Sequence, residues 1–100
     1  MDKEATQELA HEIQLRLDRS NIPEYMHGGL ILYLVHAVEP GGFLNAVLRN
    51  NLKEACVKAD HINRDRLHDY VVFLYNEVPM NCWGSDEAVD AWQGLANCPG

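Results

Sequence analysis

The sequence predicts an all-α fold: a small compact helical domain of about four helices plus a short C-terminal helix, assembled as an oligomer. Apolar residues recur every three or four positions through most of the chain, and turn signals containing Pro23, Pro40 and Pro79 separate these stretches. No alternating strand pattern interrupts them. One hundred residues, 47% of them hydrophobic and 23% charged, suffice for one domain spanning 1–100 with a modest core.

The first helix is expected from Lys3 to Arg19. Ala5, Leu9, Ile13 and Leu17 lie four apart and make a narrow apolar stripe, able to pack on its own domain or against a second copy. Glu4 and Glu8 near its start and Arg16 and Arg19 near its end suit the helix dipole. Ser20-Asn21-Ile22-Pro23 breaks it, with Asn21 a candidate cap. A second helix, Pro23 to Val38, is apolar almost all round between Leu30 and Val35, which predicts burial on several sides. Gly28 and Gly29 weaken it by about 1 kcal/mol each relative to alanine and permit a kink or a close helix crossing.

Glu39-Pro40-Gly41-Gly42 ends that helix, and a third is expected from Phe43 to Ala59. Its main apolar face is Leu44, Leu48, Leu52, Ala55 and Ala59, with Phe43 and Val47 on another side, and Asn50-Asn51 is a weak interior where it kinks. Asp60 caps a fourth helix, His61 to Val78, with core residues Leu67, Tyr70, Val71, Leu74 and Val78; Ile62 and Phe73 point elsewhere. Ser85 caps a short last helix that docks through Ala88, Val89 and Trp92.

The net charge of −7 is unevenly distributed. Both ends are acidic, whereas the stretch from Arg49 to Arg66 sets five basic residues against three acidic ones. Acidic ends repel long nucleic acid and anionic membranes, so neither is an expected partner. A small anion held in a local basic pocket is compatible with this distribution. The longest apolar run, Leu30 to Val35, falls well short of the roughly 18 residues needed to span a bilayer. The opening Met1-Asp2-Lys3-Glu4 does not resemble a secretory leader, and Cys56, Cys82 and Cys98 lack metal-type spacing. Three reduced thiols in the cytoplasm are expected.

Chemistry-bearing residue types do not form a catalytic or metal pattern. The five histidines show no His-Glu-x-x-His spacing, Ser20 and Ser85 sit where helix caps belong, and Asp65 and Asp69 lie beside Arg64 and Arg66 as an ion-paired surface. No enzyme, metal or cofactor is expected. The informative feature is Pro40-Gly41-Gly42-Phe43. Glycines ahead of a helix let a ligand approach its unpaired N–H groups, which favours a phosphate. Asn45, Arg49 and Lys53, four apart, could extend such a site, and Tyr33 or Phe43 could stack on a base. A plain helix–helix turn is the simpler alternative for the same glycines.

These residues also carry a resemblance. Pro40-Gly41-Gly42-Phe43-Leu44, Asn51-Leu52-Lys53-Glu54-Ala55, Ala59-Asp60, Asn63, Phe73-Leu74-Tyr75-Asn76-Glu77-Val78-Pro79 and Cys82-Trp83-Gly84-Ser85 resemble a family of short bacteriophage proteins, the anti-CBASS protein 2 family of cyclic-oligonucleotide sponges. The likeness runs from about Tyr25 to Trp92, within a core at 23–93, and treats residues 1–20 as an N-terminal extension. It implies a hexameric homo-oligomer in the host-cell cytoplasm that holds cyclic dinucleotides between protomers without hydrolysing them. It also implies cyclic trinucleotides at a separate site, and so blockage of bacterial anti-phage signalling.

The ligand-binding residues expected on this basis are Tyr33, Gly41, Gly42, Phe43, Asn45, Arg49 and Lys53. The alternatives are a helical oligomer that binds a host or phage protein, and a phosphodiesterase. Helices with apolar residues on two sides imply burial between copies, with Phe73, Ile62 and the stripe Leu9-Ile13-Leu17 contributing. The protein is therefore expected to sediment as an oligomer at micromolar concentration; a monomer in sedimentation velocity would contradict this.

Overall fold

Seven α-helices and no strand make up the described residues, 2–97, of the computed structural model. They are α1 (Lys3–Asp18), α2 (His27–His36), α3 (Gly42–Leu48), α4 (Leu52–Lys58), α5 (His61–Arg64), α6 (Leu67–Glu77) and α7 (Asp86–Ala91). Single 3-10 turns at Glu24–Met26, Met80–Cys82 and Leu95–Asn97 join or follow them. Cys98 lies outside the described residues.

Short polar side chains start most of these helices. Asp2 accepts from the Ala5 N–H at 2.8 Å, Asn51 from Glu54 at 3.2 Å, Asp60 from Asn63 at 2.7 Å and Ser85 from Ala88 at 3.1 Å. Asn21 is not a cap; its amide donates to Asp69, because Pro23 leads into a 3-10 turn and α2 begins only at His27. The end of α2 is closed by Ala37 in a left-handed conformation, φ 56°, with Val38 N–H reaching back to the Leu32 carbonyl at 3.3 Å.

The two long central helices expected from the sequence are each broken. Asn50 takes φ 60°, a left-handed state that asparagine tolerates better than most residues, and α4 turns back against α3. Leu52 therefore does not extend the Leu44–Leu48 stripe and is 68% exposed, while Phe43, Leu44, Ala46, Val47 and Leu48 are all buried. The break at Asp65–Arg66 likewise resets the register of α6. Phe73, at 4% exposure, is core beside Tyr70 and Leu74, and Val71, at 48%, faces out. Phe73, Ile13 and Leu17 are thus spent inside the protomer rather than at a contact between copies; Ile62 is exposed as expected.

Helix α1 packs on α2, and its Ile13 and Leu17 join the same core as Leu30, Leu34, Leu48, Tyr70 and Leu74, so it is an integral layer rather than an appendage. Gly29 gives the close crossing that its type suggested: a Cβ there would stand 3.3 Å from Leu44 Cδ1. The C-terminal residues fold back onto the end of α2. Trp92 Nε1 donates to the Tyr33 carbonyl at 3.0 Å, and Gly94, φ 90°, lies so close that a Cβ would meet the Val35 carbonyl oxygen at 2.4 Å. Only glycine fits both the conformation and the space.

Leu34 and Val71 test this assignment of the core. Leu34→Ala should cost about 2–5 kcal/mol in urea unfolding, whereas exposed Val71→Ala should stay within about 0.5 kcal/mol of the parent.

Candidate functional site

Helix α3 begins at Gly42 with Gly41 as its N-cap, a residue without a side chain to accept from the first N–H groups. Because α3 and α4 are both seven residues long and antiparallel across the Asn50 reversal, the end of α4 returns to the start of α3. This brings Lys58 over the glycine turn. A Cβ on Gly42 would lie 3.1 Å from Lys58 Cδ and 3.2 Å from its Nζ, so the missing side chain makes room for the lysine. Lys58 Nζ otherwise sits 3.9 Å from Glu54 Oε2, a loose surface pair.

Beside the turn is a cleft of about 220 Å³ lined by Met26, Gly41, Gly42, Phe43, Leu44, Lys58, Asp60 and Asn63. Its back wall reaches into the core: Phe43 stands edge-on to Tyr70 with ring centroids 5.3 Å apart. Tyr70 donates to Asn63 Oδ1 at 2.6 Å, and Asn63 Nδ2 lies 3.4 Å from the Tyr25 hydroxyl. Tyr25 donates in turn to Asp60 Oδ2 at 2.5 Å. Its ring is 57% exposed and does not itself line the cleft; it lies beside it, tied through its hydroxyl to the lining residues Asp60 and Asn63. The bond from the Asn63 N–H, then that from Tyr25, holds the Asp60 carboxyl below its ordinary range, while the same carboxylate raises the Tyr25 phenol. Burial raises the Tyr70 phenol, so it is a neutral donor.

The expected site residues do not come together in one place. Gly41, Gly42 and Phe43 line this cleft, though the Phe43 ring is buried as core and is not a free stacking surface. Tyr33 is 2% exposed, and its hydroxyl donates to the Cys82 carbonyl at 2.6 Å, so its ring holds the C-terminal segment and offers no face to a ligand. Arg49 is engaged throughout: Nε donates to Asn45 Oδ1 at 3.1 Å, Nη1 to Asp86 at 2.9 Å and Nη2 to Asp90 at 2.8 Å. These bonds tie α7 to α3 and stabilise the guanidinium charge. Asn45 and Arg49 thus form a brace with α7, and Lys53 is exposed on α4.

Lys58, Asp60 and Asn63 are polar cleft residues that sequence spacing did not group with the glycine turn, and Tyr25 joins them through Asp60. The missed signal was the asparagine pair, which pairs the start of α3 with the end of α4 once it is read as a reversal.

Other features are surface or structural. His27 is buried, bonded at Nε2 to the Ile22 carbonyl at 2.8 Å, which makes Nδ1 the acceptor for the Gln14 amide at 2.9 Å. Cys56 is exposed on α4; Cys82 is buried with Sγ 3.1 Å from the Pro79 carbonyl. Among the described residues no helix is long and apolar enough to cross a membrane. No group of three metal-ligating side chains occurs among them either. Comparison with protein-family models, curated proteins and solved structures gives no match.

The Tyr70–Asn63 bond should be measurable in stability. Tyr70→Phe leaves a buried amide oxygen without its donor and should cost about 1–3 kcal/mol in urea unfolding. Tyr75→Phe, on an exposed ring, should leave the midpoint unchanged.

Proposed function

We propose that this protein binds cyclic oligonucleotides, cyclic dinucleotides above all, and holds them without hydrolysis, withdrawing a bacterial anti-phage signal from its receptors. The observation that carries this proposal is the cleft at the start of α3. It combines backbone N–H groups at a glycine turn with the Lys58 ammonium, and the exposed Tyr25 ring stands beside it on the lining residue Asp60. Donors and a cation suit phosphate oxygens, and an aromatic face suits a base. Support also comes from the resemblance of the Pro40–Leu44, Phe73–Pro79 and Cys82–Ser85 segments to phage sponge proteins. Binding alone suffices for such a role, because a sink present in excess of its ligand lowers free signal by mass action.

The resemblance further suggests a hexamer with a separate cyclic trinucleotide site, acting in the cytoplasm of the infected cell. Exposed Leu52, Val71 and Tyr75 supply apolar surface for contacts between copies, and Lys53, Arg64 and Arg66 supply exposed positive charge. The same apolar surface favours the second reading, a module that docks on a host or phage protein.

Incubation with cyclic di-AMP, removal of free nucleotide, denaturation and chromatography separate the possibilities. Intact recovered nucleotide is the expected result. Linear product would indicate a phosphodiesterase, and no retention an interaction module. In calorimetry Lys58→Ala should weaken binding about tenfold or more, increasingly so at low salt. Gly42→Ala, which pushes Lys58 aside, should weaken it in the same direction. Arg49→Ala should loosen α7 and leave affinity unchanged; a loss confined to Arg49→Ala would move the site.

A further inference from the structure

We propose that Asp60 is the positioning residue of this cleft, holding the neighbouring Tyr25 ring in one orientation so that it meets the base of a ligand seated in the cleft as a preformed platform. The inference deepens the binding function proposed above and rests on it. An exposed tyrosine normally samples several rotamers, and ordering it on binding costs affinity. Here the ring is anchored at its far end. The Tyr25 hydroxyl donates to Asp60 Oδ2 at 2.5 Å, and the other carboxylate oxygen is fixed by the Asn63 N–H at 2.7 Å as the cap of α5. Asn63 is itself buried and locked by the Tyr70 hydroxyl at 2.6 Å. An exposed side chain is thereby tied through a carboxylate and an amide to the middle of the core.

The placement of a carboxylate here also needs a reason. Asp60 lines a cleft proposed to take an anion, and its charge opposes a phosphate. On charge alone, removing it should tighten binding. Positioning of Tyr25 predicts the reverse, so the sign of the effect separates the two.

Asp60→Ser is the decisive variant, because serine still caps α5 and cannot reach the Tyr25 hydroxyl. Calorimetry with cyclic di-AMP should show affinity reduced about three- to tenfold, with a similar loss in Tyr25→Phe, which keeps the ring and removes the anchor. In the Tyr25→Phe background, Asp60→Ser should cost nothing further, since the interaction it removes is already gone. Unchanged or tighter binding by Asp60→Ser in the parent would overturn the proposal. A ligand-free measurement runs beside it: carbon-13 relaxation of the Tyr25 ring should report an ordered side chain in the parent and a mobile one in Asp60→Ser. Equal mobility in both would also overturn it. If the parent protein retains no cyclic di-AMP, the binding function fails on its own account, and ring order alone decides whether Asp60 holds Tyr25.

Discussion

The left-handed turn at Asn50 is the constraint on which the arrangement depends. A straight helix from Phe43 to Ala59 would extend roughly 25 Å and carry Lys58 far from the glycine turn. The reversal replaces it with two short antiparallel helices, each marginal alone and each stabilised by its neighbour and the core. Three results follow together: Phe43 to Leu48 turn inward, Leu52 and Val57 turn outward, and Lys58 comes to rest over Gly42. A single φ of 60° thus determines both the packing of the centre and the electrostatics of the cleft.

Much of the outline was legible in the sequence, and the reasons are local. Asp2, Asp60 and Ser85 have only to cap the turn that follows them, so identity and position suffice to recognise two of them as caps, and the acidic start of α1 pointed the same way. The all-α class and the stripe on α1 follow from periodicity. What was lost depends on tertiary register. Periodicity carried across Asn50-Asn51 and across Asp65-Arg66 assigned Leu52 and Val71 to the core and Phe73 to the outside, since a break of a residue or two rotates every position beyond it.

The candidate site shows the same division. Gly41 and Gly42 were recognisable as a turn because two glycines after a proline interrupt a helix, whatever else the turn serves. Tyr33, Arg49 and Lys53 were grouped with them by helical spacing, yet spacing on one helix says nothing of what the opposing helix brings. Arg49 faces two carboxylates from α7, thirty-seven and forty-one residues away in the chain. Tyr33 is drawn into the core by the carbonyl of Cys82. The residues that do surround the turn arrive from the 3-10 turn after Pro23, from the end of α4 and from α5 with its cap, three places with no shared periodicity.

The fold-back of the C-terminal residues also gives the molecule an optical property. Trp83 and Trp92 are its two tryptophans, and both belong to the segment that follows Pro79. Trp92 is buried with its indole N–H bonded to the end of α2, and Trp83 packs half-buried against the core. Intrinsic emission therefore registers the seating of this segment on α2, a closure between residues far apart in the chain. Far-ultraviolet dichroism reads helix content throughout the chain, so the two signals report different features of the same fold.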